Sequence, residues 1–418
     1  MRILHVNKFL HRRGGAESYM LDLAEAQRAE GHDVGFFAMQ HPENDGDVND
    51  DLFPSRMELN PPPEGLAARV RTAGQIIYRP EARVGMDAVL DRVRPDVVHL
   101  HNIYHQLSPS ILRPVKKRGI AAVMTLHDYK LACPTYQFLD ADGKICEACL
   151  PGKFRNATKK RCNQGSLAGS ALATIELSVH RATRAYDAVD ALICPSEFLK
   201  SKMAEGRVYP ERLVHLPNFC DLRQIAAATR PGDGVLYAGR LSPEKGVDVL
   251  VDAAAALPAG LRITIAGDGP ERAALEKRAA DRGVVDRVTF LGRIPGSQLH
   301  QQMRDHAVVV VPSRWYENQP MTILEAYAAA RPVIGSRLGG LPELIDEGVT
   351  GRLVAHDDPT ALAAALSEVA GDPATAHRMG MVARERTHAF SIDAHVRGLD
   401  EIYQRVVSRH AAAPRGKH

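Results

Sequence analysis

Lys245 stands just before a helix that begins around Gly246. A cation at a helix N-terminus opposes the helix macrodipole by about 0.3–1 kcal/mol, so this position calls for something negative between the two. With Arg240 in the same loop, a diphosphate suits the pair, because Arg grips it bidentately and Lys meets it as a point charge. The plain alternative is an exposed Lys245 paired with Glu244 or Asp248. A second constellation lies in the run Pro312-Ser313-Arg314-Trp315-Tyr316-Glu317-Asn318-Gln319-Pro320-Met321-Thr322-Ile323-Leu324-Glu325-Ala326. Pro320 suits the first helical position, so the pattern predicts a helix from there to Ala330, before Pro332. Glu317 then occupies the loop in front of that helix, the free N–H groups of Met321 and Thr322 face a cleft, and Glu325 falls in the second turn. Two carboxylates so placed reach different parts of one ligand, and neutral sugar or ribose hydroxyls suit them. Trp315, the one tryptophan, reads as a packing residue and a useful optical reporter.

Cys133, Cys146, Cys149 and Cys162 form a third group, with twelve, two and twelve residues between them, in a stretch rich in Gly, Asp, Asn and Lys. Four thiols around a central two-residue spacing suit tetrahedral structural zinc; unligated thiols and a disulfide are the alternatives. Cys194 and Cys220 have no partner by spacing and read as inert buried residues. His99 and His101 point to one side of a strand end, as metal or acceptor ligands or simply as a polar strand terminus.

These residues need a scaffold of strands and helices. Short apolar runs alternate with Ala-rich helical stretches: Ile3–Asn7, Val34–Ala38, Asp96–Leu100, Ala121–Leu126, Ala191–Cys194, Gly234–Ala238, Arg262–Ala266, Val288–Leu291, Val308–Val311 and Val333–Gly335. Strands that read as continuous apolar runs are buried on both faces, which predicts parallel, helix-covered sheets. Ten runs suit two doubly wound domains. The 418 residues, 45 % hydrophobic and 25 % charged, exclude disordered, collagen-like and coiled-coil chains. The boundary falls near Asn218–Asp233, giving domains over 1–220 and 221–389, with the cysteines in an insertion over 133–162. A helix over 390–408, striped with Leu399, Ile402, Tyr403 and Val406, completes the chain. In open parallel sheets ligands bind beyond the carboxyl ends of the strands. There stand Gly14 and Gly15, His127 and Asp128, Gly239 and Arg240, and Gly267 with Asp268, Gly269 and Pro270.

A formal charge of +3 is too balanced for a nucleic-acid binder. The basic excess is local: residues 101–200 carry 14 basic and 8 acidic side chains, peaking in Lys153, Arg155, Lys159, Lys160 and Arg161. That run reads as a solvated loop or a surface for an anionic acceptor or membrane. No signal peptide or spanning apolar run stands out, which predicts a cytosolic protein.

Glu317 and Glu325 in their frame, Gly239-Arg240 with Lys245-Gly246, Gly267-Asp268-Gly269-Pro270-Glu271, Pro217-Asn218, Gly339-Gly340 with Pro342-Glu343, and Gly14-Gly15 resemble the retaining glycosyltransferases of family 4, over residues 1–403. The resemblance implies the GT-B fold, two Rossmann-like domains across a cleft, with the last helix returning to the first domain. It implies a nucleotide-sugar donor held mainly by the second domain, no catalytic metal, and a glycan or lipid-linked acceptor in cell-surface polysaccharide or glycoconjugate synthesis. Arg240 and Lys245 would hold the diphosphate, Glu325 the ribose, and Glu317 the sugar together with the backbone of Asn318, Gln319, Pro320, Met321 and Thr322. Gly15 would approach phosphate or acceptor, His127 would bond the donor sugar, and Arg293 and Ile294 would meet the base. The family commonly has Gly and Phe where Asn318 and Gln319 stand. A nicotinamide dehydrogenase would need G-x-G-x-x-G after the first strand, which Gly14-Gly15 does not supply. A sugar-nucleotide epimerase of the same fold is separated by product analysis, and a zinc-containing, non-enzymatic binding protein by salt-sensitive retention on nucleic acid.

Overall fold

The computed structural model describes residues 1–59 and 63–412. All ten apolar runs are strands, and two further strands sit at sheet edges. The first sheet comprises β1 (Arg2–Val6), β2 (Asp33–Phe37), β3 (Val97–Leu100), β4 (Ala121–Thr125), β5 (Ala191–Cys194) and β6 (Leu213–His215). The second comprises β7 (Val235–Ala238), β8 (Ile263–Ala266), β9 (Val288–Gly292), β10 (Val308–Val311), β11 (Val333–Ser336) and β12 (Gly351–Val354). Their orders are β2-β1-β3-β4-β5-β6 and β12-β11-β10-β7-β8-β9, and every pair is parallel. The chain reverses direction across each sheet between β1 and β3 and between β7 and β10. A crevice opens at such a reversal because the flanking crossovers leave on opposite faces.

The central strands β3, β4, β5, β7 and β10 are buried at every position, the reason their sequences show no alternation. The two strands absent from the periodicity are edge strands. β6 has three half-buried residues, and β12 alternates buried and half-buried residues around Arg352.

The C-terminal helix, Ile392–Ala412, buries Ile392, Val396, Leu399, Ile402, Tyr403 and Val406 in the core of the first sheet. This spacing is one helical stripe, and the helix packs on Gly15–Ala29 and β4. Phe219 belongs to that first core, whereas Cys220 and Ile225 belong to the second.

Candidate active site

The reversal between β7 and β10 gathers the first two constellations. After β7 the chain passes through Arg240 and a single turn, Pro243–Lys245, before the helix Val247–Ala254. Gly246 joins turn to helix with φ +65°, and a Cβ there would lie 2.1 Å from the Pro312 carbonyl oxygen, so a side chain at 246 would push the two loops apart. After β10 the segment is tied down by Arg314, which donates to both Asp248 oxygens at 3.0 Å and to Asp357 at 2.8 Å.

This packing brings Glu317 onto Lys245, with Nζ to Oε1 at 2.7 Å. The Ser313 hydroxyl donates to the same oxygen at 2.6 Å. Burial alone would raise the Glu317 carboxyl; the Lys245 charge and the donated hydrogen bonds outweigh it and hold the group below the usual carboxylate range. Neither local partner pairs with Lys245: Glu244 accepts from Ser242 at 2.6 Å, and Asp248 is taken by Arg314. The anion that the position required is supplied by Glu317, from 72 residues away. The ammonium also lies 5.2 Å from the Trp315 ring centre, within cation–π range.

Arg240 is exposed beside Gly239 at the end of β7, and its carbonyl accepts from the Tyr237 hydroxyl at 2.8 Å. Gly267 follows β8, where a Cβ would lie 1.8 Å from the Gly239 carbonyl oxygen; a side chain at 267 would push the two loops apart. Arg240, Glu244 and Pro270 share a cavity of about 220 Å³ with His105, Tyr136 and Cys162 from the first half of the chain. Arg293 is exposed and Ile294 half-buried in the loop after β9.

The helix carrying Glu325 is Met321–Ala328, shorter at both ends than its sequence pattern predicts. Pro320 is extended, with ψ 125°, and caps the helix from outside. Ala330 turns to φ +58°, while the Arg331 N–H returns to the Ala326 carbonyl, closing the helix two residues early. Met321 and Thr322 are half-buried in the first turn, where backbone N–H groups have no intrahelical acceptor. Burial, and then the charge of Asp22, raise the Glu325 carboxyl to about 7. Asp22 belongs to the helix Gly15–Ala29, so Glu325 faces the first domain. Gly15 opens that helix, and a Cβ there would meet nothing within 4 Å.

Asn318 and Gln319 have side-chain partners that local sequence does not reveal. Asn318 donates to the Leu126 carbonyl at 3.1 Å and accepts from the Ser196 hydroxyl at 2.7 Å. Gln319 accepts from the Asn218 N–H, and Asn218 donates back to the Gln319 carbonyl at 3.2 Å. Glu343 accepts from the Glu197 and Phe198 N–H groups at 2.9 and 2.6 Å, satisfying the N-terminus of the helix Glu197–Glu205 with a negative charge. Ser196 and Glu343 thus join the two halves across the cleft. No short motif marks either as doing so.

His127 follows β4, with Leu126 between them, half-buried against the Tyr19 ring. His5, His99 and His101 are fully buried behind it. Their donor atoms lie within 4.8 Å of one another, yet all six ring nitrogens have protein partners. His99 and His101 therefore form an interior polar network, and no lone pair is left over for a metal.

The cysteine stretch folds around an antiparallel bridge between Leu139 and Ile145 and the short helix Arg155–Lys159. Cys133 and Cys149 are buried, Cys146 and Cys162 half-buried, and all four are free thiols. Cys149 and Cys162 share a small core with Phe154, Ala157 and Leu177. Burial and then the neighbouring thiols push Cys149 up to about 12 and Cys162 to about 11. The donor set fits zinc by type. The four thiols are not among the groups within 4.8 Å, so Zn–S bonds of about 2.3 Å require the side chains to turn inward. Between Cys146 and Cys149, Glu147 accepts from the Tyr316 hydroxyl at 2.8 Å, so the insertion touches the residue preceding Glu317. In the basic run, Lys153, Arg155, Lys159, Lys160 and Arg161 are all exposed.

Two doubly wound parallel sheets with loops meeting across a cleft define a GT-B architecture. The family model described as Glycosyltransferase Family 4 matches residues 13–224, just over half of the chain, and that described as Glycosyl transferases group 1 matches residues 232–372. The chain belongs to glycosyltransferase family 4. It is 34 % identical over 196 residues to a D-inositol 3-phosphate glycosyltransferase of Streptomyces avermitilis, covering 44 % of this chain and 42 % of that one. It is 39 % identical over 169 residues to a glycogen synthase of Mycobacterium tuberculosis, covering 38 % and 40 %. The chain thus spans under half the length of these relatives. In fold it is similar to sucrose-phosphate synthase from Thermosynechococcus elongatus, with TM-score 0.72, 23 % identity and 97 % and 99 % of the two chains covered. HepE of Anabaena in complex with UDP and glucose gives TM-score 0.68, 17 % identity and coverage of 97 % and 100 %. No helix among the described residues is long and apolar enough to cross a membrane.

Proposed function

We propose that the protein transfers a sugar from a UDP- or GDP-linked donor to a glycan or lipid-linked acceptor, with retention and without a catalytic metal. The observation that carries this reading is the Lys245–Glu317 contact at the β7/β10 reversal, beside the exposed Arg240. As the bond from the anomeric carbon to the β-phosphate oxygen breaks, negative charge grows on that phosphate. Arg240, Lys245 and the N–H groups of Met321 and Thr322 meet that charge, an effect of about 3–4 kcal/mol per well-placed donor. The acceptor hydroxyl attacks from the same face, and its proton passes to the departing phosphate. Glu317 orients the sugar, His127 bonds it, Glu325 accepts from the ribose, Gly15 leaves room for phosphate or acceptor, and Arg293 and Ile294 meet the base. The UDP and glucose of the HepE structure support a nucleotide-linked sugar as donor. The exposed basic run suits an anionic acceptor or the inner face of a membrane, in a cytoplasmic protein of cell-surface polysaccharide synthesis.

A thermal-stability screen against UDP-, GDP- and dTDP-sugars tests the reading, because a ligand at 100 times its dissociation constant adds about 2.7 kcal/mol. Trp315 fluorescence is expected to change with the stabilising nucleotide, since Lys245 lies against its ring. Neither a shift nor a fluorescence change with any of the three would remove the donor site from this cleft.

The same proposal gives Cys133, Cys146, Cys149 and Cys162 one structural zinc ion. Protein purified under reducing conditions is expected to carry one zinc per chain, and Cys149→Ser to lose both the metal and stability. Elemental analysis without zinc would refute it.

A further inference from the structure

His127 does not stand alone at the cleft. Its Nε2 lies 3.2 Å from His101 Nδ1, His101 Nε2 lies 3.0 Å from His5 Nδ1, and His5 Nε2 lies 2.7 Å from Gln27 Oε1. Burial is the main cause that lowers all three rings, His5 to about 4 and His127 to about 3, so each is neutral at pH 7. A neutral imidazole has one N–H and one lone pair, so in such a row the tautomer of each ring dictates the next. Gln27 sets the direction. Its Nε2 donates to the Tyr403 hydroxyl at 3.2 Å, leaving Oε1, an acceptor, toward His5. His5 Nε2 therefore carries a proton, His5 Nδ1 accepts from His101 Nε2–H, and His101 Nδ1 accepts from His127 Nε2–H.

The Tyr403 hydroxyl, which accepts from Gln27 Nε2, keeps its own proton for His99 Nδ1 at 2.6 Å, so His99 is protonated on Nε2 and donates to the Thr125 hydroxyl at 2.7 Å. One Gln27 amide therefore sets both rows, and an inverted amide would reverse every bond in them, moving the His127 proton from Nε2 to Nδ1.

We infer that this row holds His127 in its Nε2–H tautomer and presents Nδ1 to the cleft as a hydrogen-bond acceptor, with Gln27 as the positioning residue that sets it. His127 Nδ1 makes no hydrogen bond among the described residues. Resting on the reading that His127 meets the donor sugar, the group opposite must be a neutral hydroxyl that donates. A carboxylate there would face a lone pair, so the site selects neutral sugars over uronic acids at that position.

Two-bond ¹⁵N–¹H spectra of the full-length protein labelled in histidine test the inference, with His127 assigned by its loss in His127→Gln. The wild type is expected to show His127 protonated at Nε2 and bare at Nδ1. Gln27→Met removes the terminal acceptor, so His127 should populate the Nδ1–H form and turnover should fall about tenfold, the loss of one hydrogen bond. A wild-type His127 protonated at Nδ1, or an unchanged tautomer in Gln27→Met, overturns the inference. If Gln27→Met does not fold, the wild-type spectrum alone decides. Saturating donor that leaves the His127 Nδ1 shift unmoved would keep the row and remove its sugar partner, which separates the two ideas.

Discussion

Replacing Lys245 by alanine is expected to lower turnover about 100- to 1,000-fold, the cost of removing one preorganised donor from developing charge. In the proposed reaction the phosphate charge that Lys245 meets grows as the bond breaks, so the loss falls on turnover first and on donor affinity as well. The 2.7 Å contact with Glu317 adds a second consequence. Glu317 is only 4 % exposed, and without Lys245 its carboxylate stays buried with Ser313 as its remaining short contact. The Lys245→Ala protein should therefore also lose about 1–3 kcal/mol of stability. If Glu317 orients the sugar as proposed, Glu317→Ala should abolish most transfer while sparing free nucleoside diphosphate binding, because Lys245 then remains available to phosphate. A double-mutant cycle on melting isolates the pair. If Glu317→Ala melts earlier yet transfers sugar at a near wild-type rate, Glu317 is a structural counter-ion for Lys245 and leaves the site.

Glu176→Ala is expected to cost about 3–5 kcal/mol, because it strands a buried cation. Lys130 and Glu176 meet at 2.8 Å with side chains 2 % and 1 % exposed, and His105 adds a contact to Glu176 at 3.0 Å. Burial alone would raise the Glu176 carboxyl, but the Lys130 charge and then that of His105 bring it down to about 2. A carboxyl depressed in the folded state stabilises above its unfolded pKa of about 4.5 and loses that contribution as pH falls toward 2. The difference between wild type and Glu176→Ala in urea unfolding should be full at pH 7 and shrink steadily below pH 4.5. A difference under about 1 kcal/mol at pH 7, or one that ignores acid, would mean the pair is not ionised. Lys130 lies three residues beyond His127 and also holds the Pro134 carbonyl at 2.9 Å. Losing the pair should therefore loosen the start of the cysteine insertion together with the cleft wall.

Local chemistry is what the sequence determines by itself. Continuous apolar runs are legible as buried parallel strands because burial on both faces erases alternation, and Lys245 announces a missing anion because a helix N-terminus is already positive. The edge strands β6 and β12 escape because half-buried strands carry a weak pattern. The tertiary structure decides what depends on strand order. Only the adjacency of β7 and β10 brings Glu317 to Lys245, so two residues that the sequence places in separate loops meet in one ion pair. Likewise β1, β3 and β4 lie side by side, and only that lines His5, His101 and His127 into a row; along the chain they are isolated histidines. The side chains of Asn318 and Gln319 follow the same rule, since their partners Leu126, Ser196 and Asn218 reach them across the cleft. Periodicity and capping act over a few residues, whereas these contacts join segments up to 192 residues apart, and no local pattern encodes which strand will lie beside which.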